Sequence, residues 1–377
     1  MNLRCLASAS LVAAVIAAVP ISLTAQASRA PGSRLQAPSQ TQTNPEARSS
    51  KPDARKPYVP PRMPWGDPDL QGNYTNVYEN GTPLERPDQF AGRTLDEVRG
   101  QELTAIKKAT QERTINNFQG PIHAPDHWWQ DALFLEKGSQ AWFVTDPTDG
   151  KIPPVTAEAQ RRIDAARGAR AASGRGPADS FEDRSLYDRC ITRGLPGSMM
   201  PAIYGNSYRI VQGQGFVAIT YEMIHETRVI PIDAQPRPHV GKRVHMDMGD
   251  ARGHWEGDTL VVETTNFHPR SVYRNANADA LRLVERFTRV SADKVKWSVT
   301  VDDPTTWTRP WTFAMPLTLN ETEPLLPYEC HEGNYGLRNI LSGARADERN
   351  GIFGPQREPP RLGAPADANA PAEQSER

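Results

Sequence analysis

A chain of 377 residues with 44 basic and 45 acidic side chains has a formal net charge of −1 and so no excess charge to attract nucleic acid or an anionic membrane surface. Its three cysteines are too few for a four-cysteine zinc site.

The first element is a leader. Arg4, an apolar run from Leu6 to Leu23, and Ala25 and Ala27 around Gln26 make the layout of a cleaved secretory signal over residues 1–27, cut after Ala27. Pro20 breaks the run before it reaches the roughly 20 uninterrupted apolar residues of a membrane span. Cys5 stands too early to be a lipid-bearing cysteine at the cut. A soluble periplasmic or secreted protein with no membrane span is expected. In an oxidising compartment Cys190 and Cys330 are then expected to form a disulfide, buried thiols being the alternative.

Nine of the 34 prolines fall between Ser28 and Pro68 among Ser, Gln, Arg and Lys, and five follow Gly354. Both stretches lack the apolar residues that offset ordering entropy, so 28–62 reads as a disordered linker and 354–377 as a disordered tail. Residues 63–353 remain as a single β-rich domain.

Residues 63–182 read as an irregular, partly helical cover. Thr94 and Glu97 have capping-box spacing, and Leu95, Val98, Leu103 and Ile106 follow near helical period, predicting a helix from about Leu95 to Arg113. Thr156 opens a second helix over 157–170 with little apolar face. His123 and His127, beside Trp128 and Trp129, either line a lid or pack that segment onto a sheet.

From residue 183 the period changes to two. Val295, Trp297, Val299 and Val301 alternate with Lys296, Ser298, Thr300 and Asp302, the pattern of a half-buried strand. Similar runs lie at 207–212, 216–232, 253–267, 281–290 and 307–315, with turn signals at Gly213-Gln214-Gly215, Glu256-Gly257-Asp258 and 291–294. Short connections join antiparallel neighbours, so 183–353 is a mainly β antiparallel meander closed or curled into a barrel, a sandwich being the other closure.

Residues two apart on a strand share a face. Counting along 217–229 places His225 with Val217, Ile219, Tyr221 and Met223. The same count places Glu285 with Leu283 and Phe287, and Arg309 with Trp307, Trp311 and Phe313. Burying a lone charge costs several kcal/mol, roughly, so Glu285 and Arg309 are expected to pair, as a structural ion pair or as the polar floor of a ligand pocket. His225, Glu285 and Arg309 are the candidate catalytic residues. His245 and Asp247, in a segment that also holds Asp250 and His254, share a face if extended, and with His331 they are the candidate ligands of a divalent metal, the one cofactor suggested. Glu222, Glu263 and Asp302 could supply paired carboxylates for glycoside cleavage. No nucleophile elbow, phosphate loop, dinucleotide fingerprint or His-Glu-x-x-His motif is present.

The strings PWGDPDLQGNY, SLYDRC, YEMIHETRVIPID, GHWEGDTLVVETTNF, ERFTRV, DPTTWTRPWT and YECHEGNYGLRNILSGAR together resemble a family of exported bacterial proteins with no assigned reaction, over most of Met63 to Ala344. The strand-rich half, with Trp255 near a strand start, also looks like a calycin-type barrel. These readings converge on an exported barrel-like protein that binds or transforms a small organic molecule at an inward polar pocket. The alternatives are a non-catalytic envelope protein and a metal-dependent hydrolase using His245 and Asp247.

Overall fold

The described residues contain ten strands: β1 (Gly72–Thr75) and β2 (Val144–Asp146), which lie in the part expected to be an irregular cover, and β3 (Ser207–Gly213), β4 (Phe216–Tyr221), β5 (Thr227–Pro231), β6 (Asp250–Glu256), β7 (Thr259–Thr265), β8 (Arg282–Ser291), β9 (Lys294–Asp302) and β10 (Trp311–Leu319), where the alternation places strands. They are seen in a computed structural model that describes residues 58–117, 140–202, 205–233, 237–323, 325–330 and 335–351, all within one compact unit, Lys56–Arg377. The expected leader, the expected linker as far as residue 57, the expected tail, His123, His127, Trp128, Trp129 and His331 lie outside the described residues.

The strands form one antiparallel sheet in the order β5-β4-β3-β1-β10-β9-β8-β7-β6, with β2 paired to β10 beside this path. The sheet curls until its two end strands meet. There, Ile232 bridges Gly253 in parallel fashion, and Asp233 N donates to the Gly253 carbonyl at 3.1 Å. The result is a nearly closed, nine-stranded barrel-shaped sheet. Gly253 permits the closure, because a Cβ at this position would lie 2.5 Å from Ile232 Cδ1 and 2.9 Å from Ile230 Cγ2.

Inward positions of β7 to β10 carry Leu260, Val262, Phe287, Val295, Trp297, Val299, Trp311, Phe313 and Leu317, all fully buried. Trp297 and Phe313, diagonal neighbours on β9 and β10, meet edge to face with centroids 5.5 Å apart. Much of the interior is thus a packed aromatic core. The outward positions alternate with Lys, Ser, Thr and Arg, as the period of two requires.

Two strands differ from expectation. Residues 216–232 form a hairpin rather than one strand, turning through Glu222–Glu226, where Ile224 (φ 64°) and His225 (φ 44°) take the left-handed conformation. Residues 307–315 are not continuous either. Trp307 makes an isolated bridge to Val155, Asp303 folds the chain back through bonds to Thr305 and Thr306, and β10 begins only after Pro310.

The described residues contain three α-helices: α1 (Gln101–Asn117), α2 (Ala157–Ala172) and α3 (Gly336–Arg349). The Thr94–Glu97 capping box exists, but it closes a single 3-10 turn at Leu95–Glu97, and Gly100 at φ 61° separates that turn from α1. Thr156 caps α2 as expected, accepting from Ala159 N at 3.0 Å. α3 was not foreseen. The Cys190–Cys330 disulfide is formed, with Cα atoms 6.0 Å apart, and ties the segment before α3 to the loop ahead of β3. No described helix is long and apolar enough to cross a membrane.

Candidate functional site

On β5, Thr227 and Val229 face outward while Arg228 and Ile230 face inward, so a guanidinium is placed inside the barrel. It is matched there. Arg228 Nη1 donates to Glu285 Oε2 at 2.5 Å and Nη2 to Oε1 at 3.1 Å, and Trp297 Nε1 donates to Oε1 at 3.2 Å. Both charged side chains are buried, so each is viable only because the other neutralises it in two-point geometry. Burial works against the Arg228 charge, but Glu285 and the Tyr221 hydroxyl together outweigh it and hold the guanidinium protonated above its ordinary value.

Beside this pair, the buried Tyr221 hydroxyl is engaged by the Arg228 guanidinium, while the buried Thr264 Oγ1 has no hydrogen-bond partner. Strand register places them along one stretch of wall. Tyr221 lies two positions from Ile219, which is opposite Arg228, and its ring hydroxyl feels the guanidinium charge. Thr264 is two positions from Val262, which is opposite Glu285, and directly opposite Ala251. This is also the stretch where the end strands β5 and β6 share one bridge rather than a ladder, and where the small residues Ala251 and Gly253 are buried. Burial pushes the Tyr221 phenol well above its ordinary value, so it stays a hydroxyl.

Glu226 continues the inward alternation of Ile230 and Arg228 in extended conformation and is half-buried at the edge of this wall. Thr192 Oγ1 donates to its Oε2 at 2.8 Å and also lies 3.6 Å from Met248 Sδ. Burial raises the Glu226 pKa, and the nearby charge of Asp247 adds to the rise. Asp247 behaves oppositely. Arg270 Nε and Nη2 donate to its two carboxylate oxygens at 3.0 and 2.7 Å, which lowers its pKa despite partial burial. Two neighbouring carboxylates thus have protonation equilibria pushed apart, the pattern that separates a proton donor from a permanent anion.

The expected Glu285–Arg309 pair is corrected by this geometry: the partner of Glu285 is Arg228, and Arg309 is exposed in the turn before β10. The count that aligned Arg309 with Trp311 fails because the chain is not extended across Pro310. His225 is also exposed rather than inward, since the left-handed turn reverses its face. Its Nδ1 donates to the Tyr328 carbonyl at 3.0 Å, pinning the segment that leads to Cys330.

His245 and Asp247 are not brought to one ligand position. His245 Nε2 donates to the Lys242 carbonyl at 2.7 Å, while Asp247 is engaged by Arg270. Among the described residues no group of three His, Cys, Asp or Glu side chains is arranged to hold a metal. Of the glycosidase candidates, Glu222 accepts from Ser207 N at 3.0 Å, and Glu263 accepts from Arg282.

Sequence reasoning missed Glu226, Arg228 and Thr264 as polar inward residues, and it missed His239. His239 lies between two carboxylates, with Nδ1 3.0 Å from Asp250 Oδ2 and Nε2 3.3 Å from Glu263 Oε1. Val240 N donates to the same Asp250 oxygen at 3.0 Å, so this group fastens the β5–β6 crossover to the barrel's outer face. For Arg228 a signal existed in the alternation Thr227-Arg228-Val229-Ile230. It was hidden because the preceding turn contains no Gly, Pro, Asn or Asp. No protein-family model, curated protein or solved structure matches the chain with significance.

Proposed function

We propose that this chain is an exported barrel protein that binds a small organic molecule at the β5–β6 seam. Arg228, Glu285, Tyr221 and Thr264 form the polar inner wall, and Glu226 is the group that meets the ligand at its edge. One observation carries the reading: the buried hydroxyl Thr264 Oγ1, which has no hydrogen-bond partner, lies near the Arg228–Glu285 pair on a stretch of wall where β5 and β6 share one bridge rather than a ladder. Such an atom costs roughly 1 to 3 kcal/mol when left unpaired, and a molecule that pairs with it accounts for its place on this wall. The Cys190–Cys330 disulfide supports export, being at home in an oxidising compartment. If the bound molecule is also transformed, Glu226 is the residue placed to exchange a proton with it.

The rival reading, a non-catalytic envelope protein, is favoured by the aromatic packing of Trp297, Phe287 and Phe313 through the remaining interior. Native mass spectrometry of the protein purified from its own exported fraction separates the two. A bound mass of a few hundred daltons, on the order of a drug-sized ligand, that is lost in Tyr221→Phe and Thr264→Val supports the site. Bare protein mass in every preparation supports the envelope reading.

A further inference from the structure

We propose that a second site, a cavity beside β1 and β3, binds a free α-amino acid with an apolar side chain, engaging its ammonium and carboxylate groups together. The cavity has a volume of about 270 Å³, and its lining includes Gln71, Asn73, Arg209, Val211 and Glu321. β4 separates it from β5, so it stands or falls independently of the seam.

Strand register sets the charges. Tyr208 and Ile210 of β3 are buried, so Arg209 and Val211 point outward. Arg209 stands opposite Asn73 on β1. On the other side of β1, Asn73 N donates to Glu321 Oε1 at 3.1 Å, just past the bond from Asn320 N to the Asn73 carbonyl. The cation and the anion are thus anchored on either side of β1, two strand spacings or roughly 10 Å apart at the backbone. Gly72, at φ 149°, leaves the carboxylate its place, because a Cβ there would lie 3.2 Å from Glu321 Oε1.

Elsewhere in the sheet such charges close on one another: Arg286 on β8 reaches across β7 to Glu256 on β6. Arg209 does not close onto Glu321, and among the described residues it makes no ion pair or hydrogen bond. One cavity therefore presents an unmatched guanidinium and a carboxylate held by a backbone N–H. A lone anion is drawn by the first and repelled by the second, a lone cation the reverse, and a zwitterion is attracted by both. Val211 is 40% exposed and lies in line with Ala218 and Val229, a cross-strand row without charge, so the surface beside the charged head is apolar. Opposite charges on one carbon with an apolar substituent are the chemistry of an apolar α-amino acid, whose size suits a cavity smaller than those that hold drug-sized ligands.

Phenylalanine, hydrocinnamate and phenethylamine share one skeleton and differ in which charges they carry, while glycine carries both charges without the ring. Titrating each into the full disulfide-bonded protein by ligand-observed NMR tests the proposal. Phenylalanine is expected to bind in the millimolar range, about fivefold or more tighter than the other three. Arg209→Gln should weaken phenylalanine about fivefold and leave phenethylamine unchanged or tighter. Glu321→Gln should weaken phenylalanine about fivefold and leave hydrocinnamate unchanged or tighter. Both are exchanges of exposed side chains, and the second keeps an acceptor for Asn73 N, so both should fold with the wild-type Tm. Equal or tighter binding of either singly charged analogue, or loss of phenylalanine binding in only one variant, overturns the zwitterion. Equal binding of glycine overturns the apolar side chain. No binding of phenylalanine, or binding that neither variant alters, overturns the site.

Discussion

Arg228 and Glu285 meet inside the barrel from strands that are not neighbours, with β6 and β7 lying between β5 and β8 on the seam side of the wall. The pair therefore ties the end strand β5 to a strand beyond the seam, where the ladder itself supplies one bridge. Arg228→Ala or Glu285→Ala should each destabilise by roughly 3 to 5 kcal/mol, because each leaves a buried charge without its counterion. Replacing both by Met should cost clearly less than the sum of the single changes. Arg309→Ala, at an exposed turn, should stay within about 0.5 kcal/mol of wild type. Urea denaturation of the four variants measures all three statements, and a large loss in the Arg309 variant would reinstate it as an interior residue.

Glu226 should be held at the expense of stability. Its folded pKa is raised, so its contribution to stability is fully present below the unfolded carboxylate value of about 4.3 and is lost as pH rises through the folded value. Glu226→Gln keeps an acceptor for Thr192 and removes the charge. The variant should melt higher than wild type at pH 7, and the difference should shrink as pH falls below about 4. Thermal scans across that range decide it, and a variant less stable at pH 7 would show that Glu226 is a structural anion.

Asp247 carries the opposite sign. Arg270 depresses its folded pKa, so its stabilisation is present above the unfolded carboxylate value of about 3.9 and is lost as pH falls through the folded value. Asp247→Asn should lower the Tm at pH 7, with the two curves converging in acid. Equal Tm values throughout would mean that solvent screening removes the interaction.

His239 should act as the clasp of the β5–β6 crossover. His239→Ala frees Asp250 and Glu263 from their shared imidazole and weakens the anchoring beside Val240. Amide hydrogen exchange should accelerate at Val240 and its neighbours, while the amides of β8 and β9 keep wild-type protection. Global acceleration would instead assign His239 to the stability of the whole barrel.

The disulfide closes a chain separation of 140 residues, for which the chain-entropy model gives roughly 4 to 5 kcal/mol of stabilisation. Cys190→Ser with Cys330→Ser should lower the denaturation midpoint accordingly. His225, which bonds the Tyr328 carbonyl close to this bridge, should become more important in that background. His225→Ala should then cost more than in the oxidised protein.

The amino-acid sequence by itself determined the features that depend on local chemistry. The alternation at Val295 to Val301, the Gly-containing turns after β3 and β6, the Thr156 cap of α2 and the number of cysteines each act over a few residues, so strands, hairpins and the bridge were legible. The Thr94 capping box was legible too, although Gly100 decided where the helix itself began. Tertiary structure decided the rest. Glu285 could be read as inward from its own strand, but its partner depended on a hairpin at Glu222–Glu226 that carries none of the usual turn residues. A single unseen turn shifts every later side chain to the other face, which is why His225 moved outward and Arg228 inward. The Arg309 count failed for the same reason at Pro310. The seam, with the unpartnered Thr264 hydroxyl near it, has no sequence signature, because it arises only when β5 and β6, the two ends of a strand order that the chain does not visit in sequence, are brought together by the closure of the sheet.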